Sequence, residues 1–210
     1  MIDCETRGPF RETLPLVLAS ASPRRQKLLA SLGIGFEVVP SRMKEPPPLP
    51  EETPTSYALK IAEAKAQNIA SRISGTLILS ADTIVVIDGK ILGKPRDTAH
   101  AMEMLTMLSG RTHSVITGCC ILPPGDGQAV LFSASTAVTM DAHPSPLLQA
   151  YIDSGEPFGK AGAYAIQGVG GVLVREIKGS YTNVVGLPLA ETAEQLIRCS
   201  ALEIASGNGL

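Results

Sequence analysis

The sequence predicts an α/β protein built on a mixed sheet, for three reasons. Short apolar runs alternate with stretches of helical apolar spacing through most of the 210 residues. The first such run passes through a tight turn into a helix, and a later Asp-Gly pair joins two runs as a hairpin. No internal repeat or low-complexity block breaks this order.

Residues 14–19 form a short apolar run that reads as a buried strand, and Ser20-Ala21-Ser22-Pro23 ends it. Ser22 suits a helix N-cap and Pro23 the first helical position, while Leu28, Leu29 and Leu32 supply an apolar stripe and Gly33 suits the C-terminal cap. Residues 36–40 read as a second strand. Residues 45–54 hold five prolines, a stiff surface loop whose PxxP spacing also matches an SH3 ligand. Over residues 55–71, Tyr57, Ile61, Ala64 and Asn68 share a face, which predicts a helix carrying Lys65. Residues 77–81 and 83–87 are apolar strand runs interrupted by Asp82, and Asp88-Gly89 turns the chain toward Lys90-Ile91-Leu92.

Beyond the hairpin, residues 98–109 read as a helix ended by Gly110, and residues 114–122 and 131–140 as strands around a Pro-Gly loop. A helix over 145–154, a glycine-rich segment, a strand over 172–177 and a helix over 189–198 complete the order. The expected organisation is one domain over residues 14–200, with a loosely held extension over 1–13 and a tail over 201–210. The length supports one good-sized core, or two lobes around one sheet.

With 18 Lys and Arg against 20 Asp and Glu, no surface is built to hold a nucleic-acid backbone, so any anionic partner must be held locally. Cys4, Cys119, Cys120 and Cys199 lack the paired C-x-x-C spacing of a zinc site and read as reduced thiols. Cys119 and Cys120 sit in an apolar run, as buried strand cysteines rather than a redox pair. Asp3, Glu5 and Glu12 argue against a secretory or transit signal, and no apolar run approaches the ~20 residues of a membrane helix. The expectation is a cytoplasmic protein with neither nucleic-acid nor membrane partners.

Chemistry could sit in three places. At Ser20-Ala-Ser-Pro-Arg-Arg25 a helix N-terminus offers unpaired N–H groups, and Arg24 and Arg25 add guanidinium forks that match phosphate oxygens. An exposed basic first turn is the plainer reading. Asp82, between two apolar runs, requires a positive partner, either a divalent metal or Lys94 of the Gly93-Lys94-Pro95 turn; otherwise it caps the following loop. Glu45 and Lys65, taken singly, read as solvated surface. The run from Lys160 to Gly171 holds glycines that permit close approach of a ligand or tight packing. Walker A, Rossmann and G-x-S-x-G motifs are absent, and His100, His113 and His143 are unclustered, which argues against a histidine metal site.

Leu18-Ala-Ser-Ala-Ser-Pro-Arg-Arg-Gln-Lys-Leu-Leu29 resembles the opening signature of the Maf family, the septum-formation inhibitor-like proteins. Ala62-Glu-Ala-Lys-Ala66, Ala81-Asp-Thr-Ile-Val85, Gly93-Lys-Pro-Arg-Asp97 and His113-Ser-Val-Ile-Thr117 resemble further blocks of that family, in order. So do residues 160–168 and Gly179-Ser-Tyr-Thr-Asn-Val-Val-Gly-Leu-Pro188, and the likeness covers residues 16–197.

The resemblance implies an elongated mixed sheet flanked by helices in two lobes, as in inosine triphosphate pyrophosphatases, and a homodimer that hydrolyses a nucleoside triphosphate to the monophosphate and pyrophosphate. By matching position it implies Asp82 as proton acceptor, Arg24, Thr83 and Gln167 as residues of substrate choice, and Ser20, Arg25, Glu45, Lys65 and Lys94 as pocket residues. It further implies a divalent cation, Mg²⁺ or Mn²⁺, held by Asp82 and Glu45. Many members have Asp-Glu where this chain has Lys44-Glu45, which keeps the glutamate. The Ala-Asp-Thr and Ala-Ile-Gln-Gly forms resemble the dTTP/UTP branch. The alternatives are a 7-methyl-GTP pyrophosphatase and a non-catalytic nucleotide-binding regulator of cell division.

Overall fold

A computed structural model describes residues 8–125 and 127–205. The first half runs β1 (Phe10–Glu12), β2 (Leu16–Leu18), α1 (Pro23–Ala30), β3 (Glu37–Val38), α2 (Pro54–Ala70), β4 (Leu77–Ile87) and β5 (Lys90–Leu92). The second half runs α3 (Thr98–Leu108), β6 (Thr112–Leu122), β7 (Val130–Met140), α4 (Ser145–Asp153), β8 (Val174–Lys178), α5 (Tyr181–Val185), α6 (Leu189–Arg198) and β9 (Leu202–Ile204). The main sheet has the order β3-β2-β4-β6-β7-β8, with β5 added beside β4. Its β3-β2-β4 part is parallel and the rest antiparallel, which is the mixed sheet the sequence predicts.

Strands β4, β6 and β7 are 11 residues each, about 36 Å of extended chain. Two main apolar clusters sit toward their two ends. One gathers Leu18, Leu29, Phe36, Leu79, Ile121 and Leu196 under α1 and α6. The other gathers Val85, Leu105, Leu108, Val138, Tyr151 and Leu173 under α3 and α4.

The stretch between these clusters positions the site. On one edge β4 pairs continuously with β6, from Ile78 to Val86. On its other edge it pairs with β2 only through Leu77, Ile78 and Leu79, and with β5 only through Val85, Val86 and Ile87. Residues 80–84 therefore face a gap in the sheet. Helix α2 lies across the sheet here, and Ala58, Ala62 and Ala66, four residues apart and fully buried, let it come close. Gly118 of β6, directly opposite Asp82, completes the approach: a Cβ on it would stand 2.5 Å from the Ala58 carbonyl carbon. The Ser80 hydroxyl donates to the Ala62 carbonyl of the same helix.

Several details differ from the local reading of the sequence. Asp82 does not interrupt a strand; β4 runs through it, because its charge finds a distant partner. Gly33 takes φ +73° two residues beyond the helix cap, which falls on Ser31. Residues 169–173 form a 3-10 turn, so β8 begins at Val174 instead of 172. The expected loose extension and tail meet: β1 pairs antiparallel with β9, Arg11 opposite Glu203 at 3.0 Å. Residues 1–7, with Cys4, and 206–210 lie outside the described residues. No described helix is long and apolar enough to cross a membrane.

Candidate active site

The gap beside β4 opens into a cavity of about 510 Å³. Strand alternation sends successive side chains of β4 to opposite faces at this point. Asp82 points to the α2 face, where Lys65 Nζ donates to its Oδ1 at 2.7 Å. The same ammonium meets Glu45 Oε1 at 2.7 Å, so two carboxylates converge on one lysine. Asp82 is buried, with 7% exposure, and its charge is tolerable there only because Lys65 compensates it. Lys94, the cation expected for this role, lines the cavity without bonding Asp82.

Glu45 belongs to the proline-rich loop, which the Tyr57 hydroxyl holds by donating to the Pro46 carbonyl at 3.0 Å. Burial works to raise the Glu45 pKa, but the Lys65 hydrogen bond and charge, with Lys94 and Arg25 beyond, outweigh it and hold it below the usual value.

Thr83 points to the α1 face and meets Arg25. The Arg25 guanidinium donates to Thr83 Oγ1 at 2.8 Å, to the Gly186 carbonyl at 2.7 Å and to Ser20 Oγ at 3.3 Å. Thr83 bonds Thr117 Oγ1 at 2.9 Å, and Thr117 donates to the Asn183 carbonyl at 3.2 Å. Arg25 is thus a strut between α1, β4 and the end of α5, with two of its five N–H donors still free for a ligand. Burial lowers its pKa, with the charge of Asp82 opposing. The Ser22 side chain accepts from the Arg25 backbone N–H, the cap that the Ser22-Pro23 pair predicts. The guanidinium of Arg24 makes no hydrogen bond to the described residues and lines the cavity.

The cavity's far wall is the glycine-rich segment, which brings in Ile166 and Gln167. All nine residues singled out in the sequence therefore line one cavity. Two more, both within the glycine-rich run that the sequence puts forward, were given no individual role there. Lys160 lines it too, its ammonium on the Glu156 carbonyl. Burial lowers the Lys160 pKa and nearby Arg24 adds to this, so the two cations share one region. Its position at the head of the glycine-rich segment was the available signal. Tyr164 also lines the cavity, its hydroxyl 2.7 Å from His113 Nε2. His113 is buried and its pKa lowered to about 4, so it is neutral near pH 7.

The donor set bears on a divalent ion. Among the described residues no group of three or more His, Cys, Asp or Glu could hold a metal unaided. Glu45 and Asp82 suit an ion of the Mg²⁺ type, which is bound through one or two carboxylates plus substrate phosphates and not by an all-protein cage.

An α/β sheet with a break in one ladder, and at that break a cavity mixing five cations with two carboxylates, defines a protein equipped to hold a polyanion beside acid–base groups. The chain belongs to the family of Maf-like proteins, whose model matches residues 15–199. It is 48% identical over 195 residues to a protein of Nitratidesulfovibrio vulgaris named dTTP/UTP pyrophosphatase, covering 93% of this chain and 92% of the relative. It is 50% identical over 206 residues to a protein of that name from Syntrophotalea carbinolica, covering 97% and 93%. A third of that name, from a Geobacter species, is 48% identical over 187 residues, covering 89% and 96%.

Proposed function

We propose that this chain is a nucleoside triphosphate pyrophosphatase that hydrolyses dTTP and UTP to the monophosphate and pyrophosphate. The convergence of Asp82 and Glu45 on Lys65, in the same cavity as the arginine-bearing N-terminus of α1, carries the proposal. The names of relatives near half identical across nearly the whole chain support it.

In this reading the triphosphate lies along Arg24, Arg25, Lys94 and Lys160, whose charges offset the negative charge that grows on the departing pyrophosphate. A water attacks the α-phosphorus; its oxygen forms the new P–O bond as the bond from that phosphorus to the bridging oxygen breaks. Asp82 takes the water's proton. Lys65 occupies Oδ1, which leaves Oδ2 for it. Glu45 and Asp82 would hold a Mg²⁺ or Mn²⁺ ion, which when bound supplies further neutralisation of the phosphate oxygens. The family resemblance also supports a homodimer, and the free thiols of Cys119, Cys120 and Cys199 agree with a reducing cytoplasm.

Base choice falls to Gln167. Its amide offers one acceptor and two donors, which can pair with the N–H and a carbonyl of uracil or thymine. The Thr83 hydroxyl, bonded to Arg25 and Thr117, acts on substrate choice through the set of that arginine. Replacing Gln167 by Glu places a charge beside a uracil carbonyl, so kcat/KM for dTTP and UTP falls by about tenfold or more while CTP, with an amino group there, loses less. Pyrophosphate release from dTTP, UTP, CTP and 7-methyl-GTP by both proteins checks this. A wild type that prefers 7-methyl-GTP, or releases no pyrophosphate from any of them, contradicts the proposed function.

A further inference from the structure

One carboxylate outside the cavity governs the segment that forms its far wall. Glu156 follows α4, and its side chain turns back onto the glycine-rich loop. Its Oε1 accepts from the Gly170 N–H at 2.8 Å and from the Tyr151 hydroxyl at 3.1 Å, and its Oε2 accepts from the Val169 N–H at 3.1 Å. The Tyr151 hydroxyl in turn accepts from the Ala165 N–H at 3.2 Å. Two side chains thereby fix the backbone on both sides of Ile166 and Gln167, which line the cavity while Glu156 and Tyr151 do not.

The glycines stand where this clamp requires them. Gly168 takes φ +91°, and a Cβ there would come within 2.4 Å of Glu156 Oε2. At Gly170 a Cβ would meet the Ala165 carbonyl at 2.5 Å and the Tyr151 hydroxyl at 2.6 Å. Burial works to raise the Glu156 pKa, but the two backbone N–H groups and Tyr151 outweigh it and keep the group a carboxylate. An ionised carboxylate is the one side chain that accepts three such bonds without presenting a donor of its own.

We propose that Glu156, with Tyr151, is a positioning residue for base selection: it sets residues 165–170 so that the Gln167 amide meets the base. This rests on the reading of Gln167 in a dTTP/UTP pyrophosphatase. Glu156→Gln keeps the size but turns an NH₂ group toward a backbone N–H, so one of the two loop bonds is lost. Tyr151→Phe removes the link to Ala165 and keeps the ring, and it stands in if Glu156→Gln fails to fold.

Steady-state kinetics on dTTP and CTP, with the wild type and both variants, tests the proposal. The expected result is a rise of about tenfold in KM for dTTP with kcat within about threefold, and a fall of about tenfold in the dTTP-to-CTP ratio of kcat/KM, smaller for Tyr151→Phe. A loop strut without a role in selection would lower the melting temperature and leave that ratio unchanged, and this result would overturn the proposal. A wild type that cleaves neither nucleotide would overturn the functional reading on which it rests.

Discussion

Asp82→Asn leaves the protein folded and removes nearly all turnover, with a loss in kcat of at least ~10²-fold, the scale of a positioned acid–base group. The amide matches the carboxylate in shape, so the pairing of residue 82 with Gly118 in the ladder is undisturbed. It can still accept from Lys65, which also retains Glu45. What disappears is the negative charge and with it the capacity to take a proton. The fold is therefore spared while the chemistry is lost, and circular dichroism beside a steady-state assay on dTTP separates the two. Near-normal kcat in a folded Asp82→Asn protein would remove Asp82 from the reaction.

Arg25→Ala has the second large effect, and it falls on stability as well as on rate. Three hydrogen bonds from one guanidinium disappear, leaving the Gly186 carbonyl and Thr83 without that donor in a partly enclosed region. Bonds from a charged donor contribute roughly 1.5–3 kcal/mol each and are not additive within one network, so a net loss of about 3 kcal/mol is expected. That corresponds to a fall of about 6–12 °C in Tm for a chain of this size. The value of kcat/KM for dTTP should fall by about 10²-fold, because Arg25 lines the cavity and its charge and its unbonded N–H groups go too. Arg25→Lys restores the charge without the fork and should recover little of either. Full recovery by lysine would show that charge alone, and not the bridge between α1, β4 and α5, is what the site needs.

What was legible in the sequence was local. Ser22 and Pro23 mark the start of α1 by chemistry that acts within three residues, and the Asp88-Gly89 turn marks the β4–β5 hairpin in the same way. Both turn residues take positive φ. The errors lie where partners are far apart along the chain. Asp82 looked like a break because a lone carboxylate is costly within an apolar run, and the balance comes not from Lys94 but from Lys65 seventeen residues earlier, brought over by the close packing of α2 on Gly118. Strands β1 and β9 are only three residues each with no marked apolar pattern, and only their pairing across the whole chain makes them strands.

The site followed the same division. The family resemblance named residues from six separate segments, and all of them line one cavity. It could not indicate that Arg25 is tied into the scaffold, or that Glu156 holds the loop behind Gln167, because those are properties of hydrogen-bond partners and not of residue types. Helix α5 was missed for a related reason. Its five residues carry no period, although Ser180 caps it and Gly186, at φ +126°, ends it.

The claim that joins these parts is that water attacks the α-phosphorus of a pyrimidine nucleoside triphosphate bound at the gap in the β4 ladder. Hydrolysis of dTTP in ¹⁸O-labelled water, followed by mass spectrometry of both products, tests it directly. Attack at the α-phosphorus gives dTMP that carries one labelled oxygen and pyrophosphate that carries none. Label in pyrophosphate, or formation of dTDP with labelled inorganic phosphate, would place the attack at another phosphorus and contradict it.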